Sequence, residues 1–155
     1  MKKAAKWTGI ALIIAFVGIQ FIRPERTNPP INPARTLSAR VFIPQNIQSM
    51  LQESCADCHS NATRWPWYSN ISPVSWIIAD DVDEARTHLN LSEFDRYQSL
   101  QAVNKLDMMV DMMRDGKMPL PQYVFMHPSA RVSKSQIDQF SAWIDSVADS
   151  LVAGE

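Results

Sequence analysis

Cys55-Ala56-Asp57-Cys58-His59, continued by Ser60-Asn61-Ala62-Thr63-Arg64-Trp65-Pro66-Trp67-Tyr68, decides how the rest of the chain is read. Thiols three residues apart share one face of a helical turn. There each adds to one vinyl group of a haem, and the imidazole of the next residue reaches the iron. Both cysteines of the 155 residues and one of the three histidines fall inside this window. The spacing therefore predicts one covalently attached haem c, held by Cys55 and Cys58, with His59 as an axial ligand. Other chemistries fit less well. Tetrahedral zinc would have to recruit His88 or His127 without a second cysteine pair. A thioredoxin-like dithiol lacks its βαβ surroundings. A copper(I) thioether site would draw on the methionines near residue 110.

Iron held by His59 needs a ligand on its other face. In Gly116-Lys117-Met118-Pro119 a methionine follows a helix stop, on a loop free to fold back, and a thioether there raises the reduction potential. Met118 is the predicted sixth ligand. His127 is the alternative, either on the iron or as a hydrogen-bonding group behind it, and His88 ranks below both. Met108, Met109, Met112 and Met113 recur at helical spacing, the pattern of plastic core packing. Trp65, Trp67, Tyr68, Trp76 and Tyr123 are candidate haem-pocket residues. They serve either as apolar bulk for a small core or as donors to a haem propionate.

Outward from the motif, residues 44–155 carry helical periodicity and no sustained alternation. Ile47, Met50, Leu51 and Cys55 share one face after Pro44. Ser72 and Pro73 predict the N-cap and first position of a second helix, carrying Val74, Ile77, Ile78, Val82, Ala85 and Leu89. A third helical region begins at Ser92 and continues through Leu106 to a stop at Gly116. Ser133 and Gln136 have the spacing of a capping box, ahead of Ile137, Phe140, Ile144, Val147 and Leu151. The fold class expected is all-α, with an extended helical segment between the two axial ligands.

Residues 7–22 form an apolar run behind Lys2, Lys3 and Lys6. At a rise of about 1.5 Å per residue it spans roughly 24 Å, against a hydrocarbon core of about 30 Å. Lysine snorkelling could make up the difference, and no small-residue cleavage pattern closes the run. The expectation is an uncleaved signal anchor over 1–23, a single transmembrane helix. A proline-rich linker over 24–43 and a haem domain over 44–155 follow it. Charge is uneven: residues 1–40 hold seven Lys and Arg against one Glu, and the remainder hold eight against fifteen acids. An acidic body has no counterion release to offer a nucleic-acid backbone, which excludes nucleic acid as a partner. Asp80, Asp81, Asp83 and Glu84 form a solvated face that suits a basic redox partner.

The haem motif with Met118-Pro119 resembles the c-type cytochromes. More narrowly, residues 44–145 resemble the bacterial haem-binding domain family of single-anchor proteins with a cytochrome-c-like domain. That resemblance rests on Ser60 to Tyr68, on Ser72-Pro73-Val74-Ser75-Trp76, on Met118-Pro119 with Tyr123, and on His127-Pro128. It implies one haem in an extracytoplasmic compartment. The expectation is a membrane-anchored monohaem cytochrome of a bacterial inner membrane, its haem domain in the periplasm, passing single electrons rather than acting as an enzyme. The rival is a haem peroxidase or a sensor of diatomic gas or redox state, with the sixth position open or labile.

Overall fold

The pairing of Ile47, Met50 and Leu51 on one face is realised: all three are buried on α3, Gln45–Ser54, in the computed structural model, which describes residues 2–153. The other helices are α1 (Lys2–Ile19), α2 (Leu37–Arg40), α4 (Ala56–His59), α5 (Val74–His88), α6 (Ser99–Arg114), α7 (Pro121–Met126) and α8 (Lys134–Ala153). Short 3-10 turns lie at Pro33–Arg35, Trp67–Asn70, Leu91–Arg96 and Pro128–Ala130. Helix accounts for 72% of the structure, with no strand among the described residues, so the all-α expectation holds.

The core forms where α6 crosses α8. Ala102, Leu106, Val110 and Met113 face Phe140, Trp143, Ile144 and Leu151, and Phe94 and Tyr97 pack against them from the preceding turn. The capping box that starts α8 is present: Ser133 N–H donates to Gln136 Oε1 at 2.8 Å, and Gln136 N–H to Ser133 Oγ at 3.3 Å. Ser72 departs from its expected role. Its hydroxyl pairs with Ser75 Oγ at 3.0 Å instead of capping α5, and Pro73 occupies the cap position.

The transmembrane helix is not borne out. No helix among the described residues is long and apolar enough to cross a membrane. Three lysines occupy the opening turns of α1, so only residues 7–19 are apolar helix. They span about 20 Å against the roughly 30 Å that a bilayer core requires. The run ends at Gln20, whose side-chain amide grips both backbone groups of Ser72: Nε2 donates to the carbonyl at 3.0 Å, and Oε1 accepts from the N–H at 2.9 Å. With the span goes the placement as a single-pass protein of a bacterial inner membrane.

The proline-rich segment is bound to the body. Arg26 donates to Ser69 O at 2.7 Å and to Asn70 Oδ1 at 2.9 Å. Asn28 Nδ2 donates to Thr63 O at 2.9 Å, and Arg35 pairs with Asp95 at 2.8 Å. Leu37 and Val41 enter the core itself. Proline fixes φ and removes donors, so such a segment forms no ladder of its own. Its polar groups are satisfied side chain by side chain against the body.

Candidate functional site

Cys55 ends α3, its N–H donating to Leu51 O at 3.0 Å, and begins α4 as its cap, its carbonyl accepting from His59 N–H at 2.9 Å. One helical turn therefore carries both cysteines and His59. Both thiols are free and partly buried. Burial pushes the Cys55 thiol up to about 12 and the Cys58 thiol up to about 11. A redox dithiol works through a thiolate of lowered pKa, so neutral buried thiols speak against that chemistry. Among the described residues no three His, Cys, Asp or Glu side chains gather as a metal-ion site of the kind tetrahedral zinc requires.

Cys55 and His59 open onto a cavity of about 500 Å³ between α3, α5, α6 and the loop after α6. Met118 lines the same cavity, as do Met108, Met109, Met112 and Met113 of α6. The volume lies in the range of roughly 300–1,000 Å³ typical of cofactor sites. His59 Nδ1 lies 3.2 Å from Ala85 O and 3.1 Å from Leu89 O at the end of α5. Two carbonyl acceptors require a proton on Nδ1, so the Nε2 lone pair is left for a metal. Burial lowers the His59 pKa, and the two carbonyls act against it.

Met118 is positioned by the end of α6. Gly116 adopts a φ of 66°, the left-handed region open to glycine at little cost. Its N–H donates to Met113 O at 3.1 Å, and the N–H groups of Lys117 and Met118 both reach Met112 O, at 2.9 and 3.1 Å. The helix stop read from Gly116 thus places Met118, still 37% exposed, on the cavity wall.

The aromatic candidates lie off this lining, although Tyr123 reaches the C-x-x-C-H turn through its hydrogen bond to Asp57. None of Trp65, Trp67, Tyr68, Trp76 and Tyr123 lines the cavity. Trp67 is 71% exposed, and Trp76 Nε1 donates to Ile22 O at 2.7 Å, holding the segment after α1. Trp65 faces a separate open dish with Arg23, Pro24, Arg26 and Asn70. His127 also lies off the cavity lining, stacked on Tyr123 at 4.4 Å between ring centroids, with Tyr68 Oη a long 3.5 Å from its Nδ1. Cys58 sits on α4 beside the cavity and outside its lining.

Side chains that sequence reasoning did not single out hold the loop after His59. Asn61 N–H donates to Ser92 Oγ, Asn90 Nδ2 to Asn61 Oδ1 and Asn90 N–H to Tyr97 Oη, at 3.0, 2.8 and 2.9 Å. Arg86 donates to Ser60 O and Thr63 Oγ1 on that loop, and to Thr27 O and Asn28 Oδ1 on the proline-rich segment. Asp57, between the cysteines, accepts from Arg64 Nε at 2.9 Å and from Tyr123 Oη at 2.7 Å. The one advance signal was chemical: an acid two residues after one cysteine and seven before an arginine.

Burial alone would raise the Asp57 carboxyl, but the hydrogen bonds from Arg64 and Tyr123 outweigh it and hold the group below its ordinary value. A folded-state pKa below the unfolded value of about 4 stabilises the fold above that pH, and the contribution is lost as pH falls through the folded value. Asp57→Asn is expected to lower the unfolding free energy by about 1–2 kcal/mol at pH 7, solvent around the exposed Arg64 keeping the figure modest. It should also flatten the acid limb below about pH 4. Urea titrations at pH 7 and pH 3 check both; equal losses at the two pH values would refute the assignment.

A protein-family model described as a haem-binding domain matches residues 14–146. No curated protein and no solved structure matches the chain.

Proposed function

The chain belongs to the haem-binding domain family, and from that premise we propose that it is a monohaem c-type cytochrome that carries single electrons. The observation that supports this reading is the cavity of about 500 Å³ on which Cys55, His59 and Met118 converge, with His59 Nδ1 satisfied by backbone. The donor set fits a haem. Cys55 and Cys58 would hold it through thioethers, each S–H adding across one vinyl C=C, with sulfur going to one carbon and hydrogen to the other. His59 Nε2 and the Met118 sulfur, from residues that both line this cavity, would hold its iron. When bound, the haem supplies a reversible one-electron iron couple.

The protein's part is to bind, orient and select. Ala85 and Leu89 carbonyls fix the tautomer and ring plane of His59 and make it a stronger donor. The methionines of α6 offer a soft, adaptable wall. A thioether donor from Met118 would favour the ferrous state and would leave no position for a substrate, which supports a carrier over an enzyme. Asp81 and Glu84 line the cavity, with Asp80 and Asp83 beside them on α5. Burial, then the charges of Asp80 and Glu84, raise the Asp81 carboxyl. This acidic rim suits a redox partner with a basic face.

The test is an absorption spectrum of the holoprotein, oxidised and reduced, with the haem counted per chain in alkaline pyridine. One low-spin haem that binds carbon monoxide slowly is expected. A high-spin ferric form with rapid carbon monoxide binding would replace the carrier with the peroxidase or sensor.

A further inference from the structure

A haem carries two propionate carboxylates, and a carboxylate taken out of water needs a hydrogen-bonded or charged partner. The tryptophans and tyrosines that are candidate propionate donors do not line this cavity. The polar groups that do line it are mostly unsuited: Asp81 and Glu84 repel a carboxylate, and His59 is committed to the iron. His88, 3.7 Å from Glu84, is on an exposed rim. Lys105 is the one lysine or arginine among the described lining residues. It projects from α6 with its Nζ 4.8 Å from the centre of the Tyr97 ring, donating to His88 O at the end of α5. An ammonium has three N–H donors. One goes to that carbonyl and one face of the charge rests on the ring, so donor capacity remains for an anion in the cavity.

We propose that Lys105 binds a propionate of the haem, as the counter-ion that this acidic-rimmed cavity otherwise lacks. The assignment rests on the haem reading above and deepens it. Held by the His88 carbonyl and the Tyr97 ring, the ammonium is pre-positioned. It neutralises a negative charge that would otherwise stabilise ferric iron.

The experiment compares haem-loaded full-length protein carrying Lys105→Gln, Lys105→Arg and, as a charge control, Lys134→Gln. Lys134 lies on the exposed face of α8, paired with Asp138. The readouts are the reduction potential and the propionate bending band in resonance Raman spectra. Lys105→Gln should lower the potential and shift the band, Lys105→Arg should retain both, and Lys134→Gln should move neither. Should the glutamine variant fold poorly, Lys105→Met, which keeps the aliphatic stem, is read in the same way. A potential and band that ignore Lys105, with only the thermal midpoint reduced, would show that Lys105 merely caps α5. A wild-type chain that takes up no haem would overturn the haem reading and this assignment together, whereas the first result overturns the assignment alone.

Discussion

Acid-acetone treatment of the mature holoprotein is expected to leave the haem on the polypeptide, and Cys55→Ala with Cys58→Ala to send all of it into the organic phase. Thioethers survive acid, whereas axial bonds do not, because protonation of His59 removes its lone pair. The expectation follows from the turn at α4, which places Cys55, Cys58 and His59 within one helical step. The single variants are informative too: each should retain haem through one thioether, with the reduced absorption band displaced by the vinyl group left unsaturated. Mass spectrometry of the extracted chain measures the adduct directly. A wild-type chain stripped of haem by acid-acetone would show a non-covalent haem and remove the role assigned to the thiols.

The second large effect concerns Met118. If its sulfur is on the iron, the oxidised protein shows the weak sulfur-to-iron charge-transfer band in the far red, and Met118→Ala abolishes it. The variant should also have a lower reduction potential, since a thioether stabilises ferrous iron. Axial ligands command a range of roughly 0.8 V, so the change should be the largest of any single substitution described here. The open position should then bind carbon monoxide rapidly. His127→Ala is expected to leave the band in place, because His127 stacks on Tyr123 and lies off the cavity lining. The reverse pattern, with Met118→Ala silent and His127→Ala opening the site, would make the iron bis-histidine.

These expectations draw on different depths of information. The C-x-x-C-H spacing, the Gly116 stop ahead of Met118, the capping box of Ser133 and Gln136 and the buried face of α3 were all legible in the sequence. Each is a relation between residues within a turn or two, where helix geometry alone fixes who faces whom. The same local reading made residues 7–22 a membrane span, because hydropathy was counted across a boundary that only the fold reveals. Three lysines share the helix with the apolar run, and Gln20 leaves it to pair with Ser72, 52 residues away.

The aromatic residues show the limit most plainly. Trp65, Trp67 and Tyr68 follow the C-x-x-C-H motif directly, and the sequence does not say which of them borders the cavity. Trp65 lies with Arg23 and Arg26 in an open dish, and in the turn after Pro66 Trp67 meets solvent while Tyr68 approaches His127. Asn61, Asn90 and Arg86 gave no local signal, for an asparagine or arginine reads as surface until its partners are known. The sequence by itself determined an all-helical chain with a C-x-x-C-H turn. The placement of α5 and α6 around the cavity decided which side chains line it, Lys105 and not a tryptophan, because that depends on the arrangement of segments tens of residues apart, which no local periodicity encodes.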